Sequence, residues 1–469
     1  MKLYETLAEE LSGRIEQGYY QAGDKLPSIR KMSHEHNVSI ATVQEAYYLL
    51  EDRYLVQSRP KSGYYILPKN NQKQLPETSR PEQTPVAVAR WELVLDLLHS
   101  HERAENLALG KGTPDVSTNS LKPLLKLTAD MSRRADISQL TYDSLQGSSE
   151  LRHQIARLMV DSGCRLHPDD IVITTGCQEA LTCSMRALTQ AGDIVASESP
   201  TYYGAMQTVQ ALGLKLLEIP TNPETGISLD ALELALEQWP IKVLQLTPSC
   251  NNPTGYTMPN SHKARLLEMA NEHDFAIIED DIYGDLAYTY PRSRSLKSYD
   301  TQGRVLYCSS FSKTLSPAFR TGWCAPGRYI QQVKHMKYVS TACNSILQPR
   351  AIAEFIAQGF YERHIRKCRS QYLRNRDRLM QWLQCYLPEG SKISCPNGGF
   401  LLWVELPKKI DTVELNKKLQ EHKVSIAPGI LFTAAEKYKH CMRLSYAVES
   451  NAEIEAAIKK IGEVSKTFL

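Results

Sequence analysis

Apolar residues recur every fourth position at the start of the chain. Leu3, Leu7, Leu11 and Ile15, with Tyr4 and Ala8 beside them, predict a helix over 3–18. Gly18 closes it and Gly23-Asp24 marks a turn. Pro27-Ser28 offers an N-cap for a short helix with Ile29 and Met32 on one face, and Asn37 a left-handed stop. Ser39 can cap a third helix, whose inward face is Val43, Ala46, Tyr47 and Leu50. Two strands, 54–58 and 64–67, follow, with Pro60-Lys61-Ser62-Gly63 as the turn between them. Three helices and a two-stranded ribbon make a winged helix-turn-helix layout over residues 1–67, in which the third helix enters the DNA major groove.

The pattern then breaks. Residues 68–90 carry Pro68, Pro76, Pro81 and Pro85 among Gln, Asn, Glu and Lys, with few large apolar groups to bury, and read as a linker. As a flexible coil such a segment spans about 27 Å. From Trp91 to Leu469, short apolar runs alternate with helical patterns. The runs are 171–174, 194–196, 243–246, 275–278 and 305–308. This is the signature of a mostly parallel sheet flanked by helices. From about 346 onward, helices mix with the run 401–404 as a smaller α+β lobe. The fold class is therefore α/β with a winged helix-turn-helix in front.

Composition narrows the possibilities. With 42% hydrophobic and 23% charged residues, a wholly disordered chain is excluded. No run of 18 apolar residues is present, so no membrane span or membrane partner is expected, and the N-terminus lacks the apolar core of a signal peptide. Eleven cysteines without a CxxC pair point to reduced thiols in a cytoplasmic protein, with no metal site. Residues 1–66 hold eight Lys/Arg against nine Asp/Glu, so DNA binding must rest on where the cations fall rather than on bulk charge.

In the N-terminal layout, Ser39, Ile40, Ala41, Thr42 and Gln44 lead the third helix. Arg30 and Lys31 precede it, and Arg59 and Lys61 sit on the wing. Ser, Thr and Gln can reach phosphates or base edges. A small helical protein-interaction module is the alternative. The strings Leu26-Pro27-Ser28-Ile29-Arg30, Val38-Ser39-Ile40-Ala41-Thr42-Val43 and Ser62-Gly63-Tyr64-Tyr65 resemble the GntR family of bacterial repressors over residues 3–67. The resemblance implies that Arg30, Ser39, Thr42 and Gly63 contact or approach DNA. Ile40 and Ala41 stand where family members often carry Arg.

Five signals in the longer part carry chemistry. Lys313 follows a buried strand within Ser310-Phe311-Ser312-Lys313-Thr314, with Arg320 beyond it. This suits a Schiff-base amine beside a phosphate. Asp280-Asp281-Ile282-Tyr283 ends another strand, where a carboxylate can keep a pyridinium nitrogen protonated. Asn251-Asn252-Pro253-Thr254-Gly255 could present an amide to a ring oxygen. Thr175-Gly176-Cys177-Gln178 could cradle phosphate on free N–H groups. Ser199-Pro200-Thr201-Tyr202 could stack a ring on a planar ligand. Singly, each is equally a surface charge, a cap, a turn or a packing feature. Four of the five follow strand ends in one sheet, where ligands bind.

Together they resemble a fold-type I, class I/II aminotransferase over residues 91–469. The resemblance implies a PLP-dependent transferase fold binding pyridoxal 5′-phosphate (PLP). Lys313 would carry the cofactor covalently and Asp280 would pair with its ring nitrogen. Asn252 and Tyr283 would bind the ring oxygen, and Tyr202 would stack on the ring. Gly176, Cys177, Gln178, Ser310 and Arg320 would surround the phosphate, and Tyr142 would reach a phosphate across a dimer. Arg443, in Met442-Arg443-Leu444, would clamp a substrate or effector carboxylate, with Gly112 beside it. Cys177 replaces the commoner Ser, Ala or Gly.

A GntR-like head joined to an aminotransferase-like body resembles the MocR group of bacterial regulators. That implies a regulator binding a double-stranded DNA operator. It would sense PLP, an amino compound or both, as a domain-swapped, head-to-tail homodimer. Two other readings stay open: an aminotransferase tethered to DNA by its head, and a regulator whose body is only a dimerisation scaffold.

Overall fold

The computed structural model describes residues 3–21, 23–52, 55–59, 63–66, 75–89, 91–102, 106–135 and 141–469. The chain divides into an N-terminal unit that takes in the first 74 residues and a larger unit beginning at Leu75.

In the N-terminal unit the helices run Leu3–Glu16, Ile29–Glu35 and Ile40–Asp52. The wing pairs Val56–Arg59 antiparallel with Gly63–Ile66. Leu7, Leu11, Ile15, Met32, Val43, Ala46, Leu50 and Val56 are all buried, as the fourfold spacing requires. Local chemistry sets the helix ends. The Lys31 N–H donates to the Ser28 hydroxyl at 3.3 Å and the Thr42 N–H to the Ser39 hydroxyl at 3.1 Å. Asn37 takes the left-handed conformation, φ 50°, between the second and third helices. Tyr47 is fully buried and donates its hydroxyl to the Pro27 carbonyl at 2.8 Å, tying the third helix to the start of the second.

The expectation of a free linker is corrected for residues 75–89. They pack against strand Lys215–Asn222, with backbone bonds at Leu216 and Thr221. Val86 and Leu216 exchange two backbone hydrogen bonds of 2.9 Å each. The Ser79 N–H donates to the Thr221 carbonyl at 3.0 Å, and the Thr221 N–H donates back to the Ser79 hydroxyl at 2.6 Å. Trp239 Nε1 donates to the Gln83 carbonyl at 3.2 Å, and Val88 is buried. A segment with few apolar side chains is held because the strand leaves backbone donors and acceptors to be paired.

The main sheet has eight strands. Their spatial order is Val172–Thr174, Gly322–Ala325, Val305–Ser310, Ala276–Asp280, Ile241–Leu246, Ile194–Ser199, Lys215–Asn222 and Gly226–Ile227. Gly322–Ala325 is antiparallel to both neighbours and Gly226–Ile227 is antiparallel to its one neighbour; the other pairings are parallel. Leu217, Leu244 and Ile277 belong to one hydrophobic core, and their neighbours Leu216, Val243 and Ile278 to another. Successive side chains point to opposite faces and both faces are covered, hence the unbroken apolar runs in the sequence. The smaller lobe is a four-stranded antiparallel sheet in the order Lys392–Ile393, Leu401–Glu405, Cys441–Ser445, Ala427–Pro428. Helices Thr412–Gln420 and Ala452–Lys466 belong to the same stretch. Val424–Ser425 pairs in parallel with Leu107–Ala108, so the start of the body returns to its last third.

Candidate functional site

Because most of its strands are parallel, the sheet brings their carboxyl ends to one edge. A cavity of about 690 Å³ opens there, lined by Cys177, Gln178, Tyr202, Asn252, Asp280, Tyr283, Ser312, Lys313, Arg320 and Arg443, with Gly112 from an earlier loop. Residues more than 300 positions apart in sequence thus share one wall.

Lys313 is half-buried and donates to the Gly112 carbonyl at 2.5 Å. Burial, helped by the Arg443 charge, lowers its amine to about 8. Asp280 is buried. The Cys177 thiol donates to its Oδ1 at 3.4 Å and the Ile282 N–H at 3.3 Å. Burial pushes this carboxyl up to about 6, against those two hydrogen bonds. Burial first, and then the Asp280 charge, pushes the Cys177 thiol far above its ordinary value, so it stays protonated.

Arg443 is 1% exposed. It donates to Asn252 Oδ1 at 3.0 Å and to the Gly110 carbonyl at 2.6 Å, and its guanidinium lies 5.0 Å from the centre of the Phe432 ring. Its Nε has no hydrogen-bond partner among the described residues. No carboxylate neutralises this charge within the described ion pairs, although a buried guanidinium needs one. The site therefore suits an incoming carboxylate.

Gly176 precedes helix Cys177–Leu188, which has no side-chain cap, so its first N–H groups are open to a ligand. Gly176 has φ +121°, and a Cβ there would stand 2.8 Å from Arg320 Nη2. Only glycine lets the guanidinium lie against the helix start. Open N–H groups beside a guanidinium fit a phosphate.

Ser310, named from the sequence, does not line the cavity, and Gln178, which does, turns its side-chain amide elsewhere. The Ser310 hydroxyl is turned inward, donating to the Thr321 carbonyl at 2.9 Å and accepting from the Ser312 N–H at 3.0 Å; Ser312 faces the cavity instead. The Gln178 side chain donates to the Gly204 carbonyl at 3.0 Å and to the Thr208 hydroxyl at 2.9 Å, so its amide braces the neighbouring helix. Tyr142 is 87% exposed and outside the cavity. Leu98, Lys111, Thr113 and Tyr203 also line the cavity. Nothing in the local pattern around Lys111 signalled it, since its place depends on the loop returning from the small lobe.

The class I and II aminotransferase family matches residues 104–461, and the bacterial gntR regulatory family matches residues 3–66. The chain belongs to both families. The cofactor of the aminotransferase body is PLP. The uncharacterized HTH-type transcriptional regulator YjiR of Escherichia coli (strain K12) is 47% identical over 99% of this chain and 98% of its own length. Aromatic-amino-acid aminotransferase 1 of Thermococcus litoralis is 30% identical over 80% of this chain and 91% of its own. Among solved structures, a kynurenine aminotransferase of Pyrococcus horikoshii superposes with a TM-score of 0.74 at 31% identity, covering 81% of this chain and 96% of that one. LysN, an α-aminoadipate aminotransferase of Thermus thermophilus complexed with N-(5′-phosphopyridoxyl)-L-leucine, has a TM-score of 0.73 at 27% identity, covering 80% of this chain and 95% of that one.

In the GntR head, Arg30, Lys31, Ser39 and Gln44 are exposed and Thr42 is half-buried. The hydroxyls of Ser39 and Thr42 hydrogen-bond each other at 2.8 Å, so both serve the helix start. Ile40, Ala41, Gln44 and Tyr48 share the outer face of the third helix, with Ile40 49% and Tyr48 51% exposed. Tyr48 was missed, though its spacing of four from Gln44 places it. Gly63 opens the second wing strand at φ +110°, and a Cβ there would stand 3.1 Å from Lys25 Cε. Lys61 and the side chain of Arg59 lie outside the described residues. No described helix is long and apolar enough to cross a membrane.

Proposed function

We propose that the chain is a cytoplasmic DNA-binding transcriptional regulator whose aminotransferase body, loaded with PLP at Lys313, reads an amino compound bearing a carboxylate. The observation that carries the reading is Arg443. It is a buried guanidinium with an unpartnered Nε, in the same cavity as a lysine amine lowered to about 8. An α-amino acid offers the two complementary groups, a carboxylate for the guanidinium fork and an amine for the reacting end.

Bound there, PLP supplies an aldehyde that captures amines and a ring that accepts electrons. The chain's own groups do the rest. Arg320 and the N–H groups after Gly176 bind the phosphate. Asp280 holds a proton at the ring nitrogen, and its burial strengthens that charge pairing. Tyr202 would pack on the ring, and Asn252 and Tyr283 would bind its oxygen; all three line the cavity. Lys313 would hold the cofactor's aldehyde carbon, and its amine would have different hydrogen-bond partners with and without that bond. That difference in contacts can bias two conformations of the body and so couple the effector to the head.

The head binds double-stranded DNA with its third helix in the major groove and Arg30 on phosphate. Assembly as a head-to-tail homodimer would bring the exposed Tyr142 to a partner's phosphate site and place two heads on one operator. The test joins both ends. Amino acids are titrated into the PLP-loaded protein, with the visible spectrum and operator affinity read together. An amino acid that shifts both supports the reading; a protein that takes up no PLP, or binds no DNA, refutes it. The full set of Lys313, Asp280, Asn252 and Arg443 in one cavity also favours a transaminase half-reaction, measured as oxo-acid released in a single turnover.

A further inference from the structure

The helix Phe360–Tyr386 carries a histidine with no part in the site so far described. His364 is 2% exposed. Its Nε2 lies 2.7 Å from the carbonyl oxygen of Thr314, the residue after Lys313. Its Nδ1 lies 2.7 Å from the hydroxyl of Ser120. A carbonyl only accepts, so Nε2 carries the proton, and in the neutral ring Nδ1 accepts from Ser120. Burial lowers the basicity of this imidazole, against the hydrogen bond to Thr314, which keeps it neutral.

One ring therefore bridges two segments of the cavity wall. The first is the turn holding Lys313. The second runs from Lys111-Gly112-Thr113 to Ser120, and Lys313 Nζ already donates to the Gly112 carbonyl. The helix face that presents His364 holds the second segment again further on, where Gln371 Nε2 donates to Asp115 Oδ2 at 3.5 Å.

We propose that His364 is a positioning residue for Lys313, pinning the peptide that follows the lysine and so setting where the amine stands relative to Arg443 and Asp280. The proposal rests on the reading of Lys313 as the PLP amine. The groups acting on that amine are Arg443, Asp280, Cys177 and Arg320. Around His364 the titratable neighbours are Lys367 and Cys368 of its own helix, with Ser120 and Thr314 facing it from the two segments. The Cys368 thiol, pushed by burial to about 12, stays neutral. Releasing the pin lets the amine move toward solvent and away from Arg443, and both changes raise its proton affinity.

Two half-replacements separate the arms. His364→Gln can keep a donor at the Thr314 carbonyl and gives up Ser120. His364→Asn keeps a polar group near Ser120 and cannot reach Thr314. In full-length protein stripped of PLP, the pH midpoint for labelling of Lys313 by an amine-reactive reagent is read by peptide mass. The wild type and His364→Gln should share a midpoint near 8. In His364→Asn it should rise by roughly half a unit or more, about threefold less free amine at pH 7. If His364→Asn does not fold, His364→Leu, which likewise leaves the Thr314 carbonyl without its donor, decides: its midpoint should rise in the same direction, whereas Ser120→Ala, like His364→Gln, should keep the wild-type midpoint. Unchanged midpoints with only a lowered melting temperature would overturn the proposal. Failure of the wild type to gain a near-visible band with PLP would instead refute the cofactor reading, leaving the labelling result interpretable.

Discussion

Replacing Arg443 by lysine keeps the positive charge and removes the fork. In the structure the two terminal nitrogens are spoken for, by Asn252 Oδ1 at 3.0 Å and the Gly110 carbonyl at 2.6 Å, yet each still carries a second N–H, and Nε has no partner among the described residues. An arriving carboxylate can take two parallel hydrogen bonds from such a group. A lysine ammonium must divide three donors among Asn252, Gly110 and the ligand, so one charge-assisted bond is lost. That bond is worth ~1.5–3 kcal/mol. At about 1.4 kcal/mol per tenfold, Arg443→Lys should weaken amino-acid binding by roughly 10- to 100-fold. The assay is a titration of the PLP-loaded protein with an amino acid that perturbs its visible band. The resting band should survive, because Arg443 is not needed to hold the phosphate or to make the bond at Lys313. An unchanged Kd would refute carboxylate recognition by the guanidinium. Loss of the resting band would refute the separation of effector binding from cofactor binding.

Recombination of PLP with the stripped protein should accelerate about tenfold per pH unit below 8 and level above it, because a lowered amine pKa brings in the neutral nucleophile at lower pH. Arg443→Met removes the larger of the two charges that, with burial, lower Lys313 and should slow recombination at pH 7. A rate that keeps climbing to pH 10 would show an ordinary lysine. Borohydride reduction of the loaded protein should leave the label on the peptide containing Lys313 and on no other. In the head, Tyr47→Phe should cost about 1 kcal/mol in a thermal or urea melt, as its buried hydroxyl leaves the Pro27 carbonyl without that donor. Arg30→Ala should weaken binding to all DNA sequences and reduce the salt slope by about one, whereas Gln44→Ala should change sequence preference; the reverse pattern would misplace the recognition helix.

The head was largely legible in the sequence because its determinants are local. Fourfold apolar spacing, Ser28 and Ser39 as caps and Asn37 as a stop each act within one turn of helix. Residue by residue they predict what forms. The body's parallel strands were legible for the same reason, as runs buried on both faces. Gly322-Trp323-Cys324-Ala325 was not read as a strand, since it is short and becomes one only by pairing with Val305–Ser310 and Val172–Thr174. Composition alone described residues 68–90 as unable to order themselves. Leu216 and Thr221 of strand Lys215–Asn222 supply the backbone partners of Val86 and Ser79, and which strand groups are left to pair is a property of the assembled sheet. The same division runs through the site. The strand-end motifs named Lys313, Asp280, Asn252 and Arg320, because chemistry at a parallel strand end follows from order along the chain. By its local sequence alone, Arg443 is one arginine between Met442 and Leu444. Folding packs it against Phe432 and seals it from water, and that burial makes its unpartnered nitrogen a demand for a carboxylate. Ser312 in place of Ser310, Lys111 at the cavity wall and His364 behind Lys313 were likewise decided only when distant segments met, since direction and burial belong to packing and leave no periodic trace in the order of residues.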